Sequence, residues 1–211
     1  MSGTLVIDIV SDTVCPWCYV GMRHLEEALA ELSNIQVQLR WRPFQLDPTI
    51  PPEGLDRKVY MDRKFGDSGR LNDIHRRLEE LGTARGITFN FNKISRSPNT
   101  IDSHRLIRWA TDEGKGDILV GALFKAYFKD GHDIGDRDVL SGIASSVGLD
   151  HTSISNRLST DEDKIAVRNE IIEAQRMGVT GVPFFILAQK LAVSGAQPPE
   201  ILCDAIRQAL A

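Results

Sequence analysis

Two cysteines three positions apart, in Cys15-Pro16-Trp17-Cys18, stand where a strand pattern passes into a helical one. Leu5, Val6, Ile7, Ile9 and Val10 form a short, nearly continuous apolar run, as in a strand buried on both faces. Leu25, Ala28, Leu29 and Leu32 then recur at three- and four-residue steps, the period of a helix. This order predicts that both thiols sit on the first turn of the helix, where they can close into one disulfide. The N-terminal amides of such a helix favour negative charge on the first sulfur. Pro16 suits the same turn, because its missing N–H costs no helical hydrogen bond.

After the helix, Val37, Leu39 and Trp41 alternate with Gln36, Gln38 and Arg40, which predicts a second strand. Strand, helix and strand with a crossover make a βαβ unit, so the two strands should run parallel. Three prolines between Pro48 and Pro52 mark an irregular connection, and mostly helical patterns follow. The stripes are Leu71, Ile74, Leu78 and Leu81; Leu106, Ile107, Trp109 and Ala110; Ile118, Leu119, Ala122, Leu123 and Tyr127; and Val139, Leu140, Ile143 and Val147. Asp136 is the expected N-cap of the fourth. A further helix is expected from about Asp161 to Gly178, and Ile87 to Phe91 reads as a strand-like link. Strands return at Phe184–Leu187 and Leu191–Val193, joined by a tight hairpin, and Pro198-Pro199 opens a last helix through Leu210. The expected architecture is α/β: βαβ, a helical insertion, then ββα. The domains expected are 1–50 with 165–211, and 51–164.

Composition narrows the chemistry. A chain of 211 residues, 42% hydrophobic, can bury a substantial core. A net charge of −4 gives no general attraction to nucleic acid or anionic membranes. No apolar run approaches the roughly 20 residues of a membrane span, and the N-terminus lacks the pattern of a secretory signal. A cytoplasmic protein, monomeric or homodimeric, is expected. Three cysteines do not make the disulfide framework of a secreted scaffold. A structural zinc site normally takes four Cys or His ligands. One CxxC and five histidines without paired spacing fall short of that, so no metal is expected.

Four stretches together carry a family resemblance: Ser11-Asp12-Thr13-Val14-Cys15-Pro16-Trp17-Cys18-Tyr19-Val20-Gly21, Asn99-Thr100-Ile101-Asp102-Ser103-His104-Arg105, Gly178-Val179-Thr180-Gly181-Val182-Pro183-Phe184-Phe185 and Ser194-Gly195-Ala196-Gln197. The chain resembles the thioredoxin fold with an inserted helical domain, as in DsbA-family oxidoreductases, and more narrowly the FrnE-type group. The fold is also similar to kappa-class glutathione transferases and 2-hydroxychromene-2-carboxylate isomerases, which typically carry serine at the position of Cys15. The resemblance implies a thiol–disulfide oxidoreductase or isomerase acting on protein or small-molecule dithiols. It implies a cycle that requires no metal or organic cofactor, with glutathione or another dithiol partner to recycle it. It also implies that the Val182–Pro183 bond is cis and lies against the CxxC motif.

On that reading Cys15 is the accessible nucleophile and Cys18 the more buried resolving thiol, with Pro16, Trp17, Val182 and Pro183 shaping a substrate groove. Two alternatives stand beside it: a glutathione-dependent transferase or isomerase, and a redox-sensitive chaperone-like binding module. Asn99 and Arg105 either bind an anionic ligand such as glutathione, or Asn99 or Thr100 simply caps the helix; His104 either lines the cleft between the two domains or is a satisfied polar residue, and the structural roles are preferred. Asp12 stands close enough in sequence to tune Cys15, and Cys203 reads as an inert core thiol. Many thioredoxin-fold proteins bury an acid six positions before the first cysteine. Here Ile9 occupies that position, so the proton on Cys18 has no assigned partner.

Overall fold

A computed structural model of the chain describes residues 4–66 and 68–211. The elements run β1 (Leu5–Ser11), α1 (Pro16–Glu31), β2 (Val37–Pro43), β3 (Leu55–Asp56), α2 (Arg57–Phe65) and α3 (Ser68–Thr83). They continue through β4 (Arg96–Ser97), α4 (Ile101–Asp112), α5 (Gly116–Lys125), α6 (Arg137–Ser146), α7 (His151–Leu158) and α8 (Lys164–Arg176). β5 (Phe184–Leu187), β6 (Leu191–Ser194) and α9 (Pro199–Leu210) close the chain. Two compact units result: residues 1–46 with 169–211, and residues 47–168.

The first unit is built on a four-stranded sheet in the order β2-β1-β5-β6. β1 pairs with β2 in parallel, Ile7 opposite Leu39, and with β5 in antiparallel, Ile9 opposite Phe185. Alternation along the strands divides two apolar layers. Leu5, Ile7 and Ile9 of β1 and Phe185 and Leu187 of β5 pack with Leu25 and Ala28 of α1 and Leu202 and Ile206 of α9. Val10, in the opposite phase, packs with Phe44, Ala174 and Val179 on the other face. The hairpin between β5 and β6 turns through Ala188 and Gln189 at φ 52 and 58. That is the pair of positive angles a tight right-twisted hairpin needs.

The second unit is mostly helical. Asp56 caps α2 through Val59 N–H at 3.0 Å, and Asp136 caps α6 through Asp138 and Val139 N–H at 2.8 and 3.0 Å. Its aromatic core stacks Phe89 on Phe91 and sets Phe128 edge-on to both.

Three expectations change, and one element is added. Ile87 to Phe91 forms no strand; it is an irregular segment leading into a short 3₁₀ turn at Phe91–Lys93, its apolar side chains absorbed by the aromatic core. Ile118 leaves its stripe and is exposed on α5. α8 begins at Lys164 rather than near Asp161, because Asp163 adopts φ 59 and breaks helical continuity. α7, with Asp150 as its cap, lies where the sequence showed no clear apolar stripe. Among the described residues, no helix is long and apolar enough to cross a membrane.

Candidate functional site: a dithiol on the first turn of α1

Cys15 is the N-cap of α1, at φ −91 and ψ 111, and Pro16 opens the helix. The Cys15 N–H donates to the Asp12 carbonyl at 3.0 Å, and the Cys15 carbonyl accepts from Cys18 N–H at 3.0 Å. The loop is thereby closed tightly against the end of β1. Asp12 is buried, and its carboxylate accepts from Leu46 N–H at 2.8 Å, anchoring the turn to the segment that follows β2. That hydrogen bond gives Asp12 a part in holding the loop.

Both thiols are free and buried. Cys15, expected to be open, is 3% exposed, against 2% for Cys18. The reason is local: its S–H turns inward to donate to the Val182 carbonyl at 3.6 Å. The Val182–Pro183 peptide bond is cis, and Pro183 is buried at the foot of β5 while Val182, Pro16 and Trp17 are half-buried. The structure thus brings Cys15 and Val182 into contact, and chain continuity keeps Pro16, Trp17 and Pro183 beside them.

Cys18 sits deeper in the helix. Burial pushes its thiol well above the ordinary range, and a hydrogen bond to the Cys15 sulfur and the charge there push it in the same direction. The Ser11 hydroxyl and the Asp12 backbone N–H donate to the Cys18 sulfur and pull the other way. The result is a connected line, from Cys18 to Cys15 to Val182.

Two supporting residues were not read from the sequence. A Cβ on Gly21 would lie 2.8 Å from Pro183 Cγ and 3.3 Å from Phe185 Cζ, so only glycine lets α1 approach the proline loop this closely. His24, buried on the same helix, shares a 2.7 Å hydrogen bond through Nδ1 with the Gln197 carbonyl. Both sit in the motifs that carried the resemblance, or just beyond them, but neither has reactive spacing to betray it.

The remaining candidates have structural roles. Asn99 accepts from Ile101 N–H at 3.0 Å and so caps α4, while its Nδ2 donates to the Ile50 carbonyl at 2.6 Å. Arg105 is fully buried within its own unit. It donates to Asp102 at 2.8 Å and to the carbonyls of Glu162, Arg157 and Thr160 at 2.5, 2.8 and 2.9 Å. With its fork so occupied, Arg105 is not placed to receive an anionic ligand. His104 is likewise buried on α4. The Cys203 thiol donates to the Ala28 carbonyl at 3.5 Å, ten residues and about 15 Å along α1 from Cys18, so the two do not meet. Among the described residues, no group of three or more His, Cys, Asp or Glu gathers closely enough to hold a metal ion.

The sheet order and the place of the thiols at the end of its central strand β1 are those of a thioredoxin fold, interrupted in sequence by a helical unit. Over residues 6–207 the sequence matches the DSBA-like thioredoxin domain family, and the chain belongs to it. The uncharacterized protein YwbO of Bacillus subtilis (strain 168) is 30% identical over 207 residues, 96% of each chain. The probable DsbA oxidoreductase SCO1869 from Streptomyces coelicolor has a TM-score of 0.89 at 31% identity, over 97% of this chain and 89% of that one. The cytosolic disulfide reductase DsbM from Pseudomonas aeruginosa, solved with GSH, has a TM-score of 0.67 at 17% identity, over 97% and 98%. At that identity the likeness is one of fold.

Proposed function

We propose that this chain is a thiol–disulfide oxidoreductase of the FrnE type, exchanging disulfides with protein or small-molecule dithiols. The observation that carries it is the hydrogen-bonded pair of sulfurs on the first turn of α1, with Cys15 against the loop of Val182 and Pro183. Cys15 attacks a substrate disulfide as its thiolate, forming a mixed disulfide and expelling one substrate thiolate. Cys18 then attacks the Cys15 sulfur, the mixed bond breaks, the second substrate thiolate leaves, and a Cys15–Cys18 disulfide remains. Run backwards, the same steps oxidise a substrate dithiol, and run in sequence they isomerise. Net direction follows the couple's potential, about 1.4 kcal/mol for every 30 mV.

In this reading Pro16, Trp17, Val182 and Pro183 form the groove that presents a substrate sulfur to Cys15. Pro16 and Trp17 belong to the reactive turn itself, and the Val182 carbonyl already accepts from the Cys15 thiol. No organic cofactor is needed, and glutathione serves as recycling partner in a cytoplasmic setting. Three cysteines in 211 residues, too few for the disulfide framework of a secreted scaffold, support that setting.

The test is insulin reduction together with titration of the dithiol in glutathione redox buffers. Cys15→Ser is expected to abolish exchange, and Cys18→Ser to trap a mixed disulfide on Cys15. Glutathione adduct chemistry that survives Cys18→Ser undiminished would instead indicate a glutathione-dependent transferase or isomerase. Client protection surviving loss of both cysteines, without exchange in the parent, would indicate a chaperone-like module.

A further inference from the structure

The β1 strand reaches the dithiol with one polar side chain on the face that packs against α1. Side chains alternate along a strand, so Leu5, Ile7, Ile9 and Ser11 share a face, and the first three lie in the core with α1. On α1, Cys18 and Leu25 are spaced by seven residues, two helical turns, and Leu25 lies in that same core. The chain reverses between β1 and α1, so the last residue of this strand face meets the first turn of this helix face. Ser11, 6% exposed, is therefore set against Cys18, and its hydroxyl donates to the Cys18 sulfur.

We propose that Ser11 is a catalytic residue: its hydroxyl holds the Cys18 sulfur as a thiolate during attack on the mixed disulfide. This rests on the dithiol reading given above. When Cys15 is bonded to substrate, its sulfur carries no charge and no longer takes a hydrogen bond from Cys18 as a thiolate would. Burial then opposes ionisation of Cys18, with the Ser11 hydroxyl and the Asp12 N–H as the donors that offset it. The Ser11 hydroxyl is a side-chain donor to the Cys18 sulfur, while the Asp12 carboxylate accepts from Leu46 N–H. In the step itself Cys18 gives its proton to solvent base, and its sulfur bonds to Cys15 Sγ. The bond from Cys15 to the substrate sulfur breaks, and the departing thiolate takes a proton from water. The substrate disulfide is reduced and the Cys15–Cys18 pair oxidised.

The experiment follows reaction with 5,5′-dithiobis(2-nitrobenzoate) in stopped flow. Attack by Cys15 releases one thionitrobenzoate, and ring closure by Cys18 releases a second. Ser11→Ala and Ser11→Val are expected to slow the second release about tenfold to a hundredfold, the worth of one hydrogen bond to a charged group. The first release should stay within about twofold. Ser11→Thr, which matches valine in shape and restores the hydroxyl, should recover the second release. Folding of each variant is checked by circular dichroism, and Ser11→Ala removes a single oxygen should the bulkier valine not be accommodated. Wild-type ring closure in folded Ser11→Ala would overturn the proposal and leave the dithiol reading intact. Loss of the first release from the wild-type protein would instead sink the dithiol reading.

Discussion

The thiol of Cys15 donates to the carbonyl oxygen of Val182 across 3.6 Å, joining residues 167 apart in sequence. The Cys18 thiol, beside it, is held protonated by burial and by the neighbouring Cys15 sulfur. At pH 7 a small alkylating agent such as iodoacetamide should therefore modify Cys15 at least tenfold faster than Cys18, since only the thiolate reacts. Peptide mass spectrometry after timed quenching reads this directly. Equal labelling of the two would contradict it.

The raised thiol of Cys18 also sets a pH dependence of stability. In the unfolded chain the thiol ionises near 8.5, whereas in the folded, reduced protein it keeps its proton to higher pH. Its contribution is complete below the unfolded value and is lost as pH rises toward the folded one, with a limiting slope of about 1.4 kcal/mol per pH unit. Cys203 is shifted in the same direction by burial and by Glu31, so it adds to the same alkaline loss. Denaturant melts of reduced protein between pH 8 and 10 should show a steeper fall than those of Cys18→Ala.

Gly21 tests the packing beneath the site. Alanine there gains about 1 kcal/mol of helix propensity. Its Cβ would, however, stand 2.8 Å from a ring carbon of Pro183, a rigid neighbour that can move only with its loop. Overpacking of this kind costs about 1–3 kcal/mol. Gly21→Ala should lower Tm and reduce exchange at Cys15, since the shifted loop carries Val182. A variant with unchanged Tm and full activity would show that the loop yields freely.

How much of this was legible in sequence depends on the length of the pattern. The βαβ and ββα halves stood out because Leu5–Val10, Leu25–Leu32 and Val37–Trp41 carry sustained apolar periods, and CxxC marks the turn between the first two. The two-residue ladder of β3 and β4 is too short to leave a period. The break at Asp163 depends on long-range contact, with Trp109 Nε1 donating to its carboxylate at 2.8 Å, and no local residue choice announces it. At the site, reactive residues were legible from their type, while Ser11 and Gly21 were not. A serine ending a strand and a glycine in a helix acquire meaning only from what lies across from them.

Arg105 offers a prediction about the second unit. Its guanidinium lies over Trp109 at 4.9 Å and bonds three carbonyls and Asp102 with no exposed surface. Lysine cannot reproduce that planar fork. Arg105→Lys should cost about 2–4 kcal/mol in denaturant melts, from carbonyls left buried and unpaired. Exchange per folded molecule should remain, because Asp102, Arg157, Thr160 and Glu162, which hold Arg105, all belong to its own unit.

His75 gives the chain an acid-sensitive point. Its ring stacks on Phe91 at 3.9 Å and is half-buried on α3. Burial, and then the charge of Arg57, lower its pKa to about 4. An unfolded histidine takes a proton near 6.5, so between pH 6.5 and 4 the unfolded chain binds a proton that the folded chain refuses. Stability is therefore full above pH 6.5 and declines as pH falls toward 4, by an amount that solvent at the exposed part of the ring reduces. His75→Phe keeps a ring against Phe91 and removes the proton site. Its Tm should fall less than that of the parent between pH 6.5 and 4, and parallel curves over that window would show that His75 is protonated as readily in the folded state as in the unfolded one.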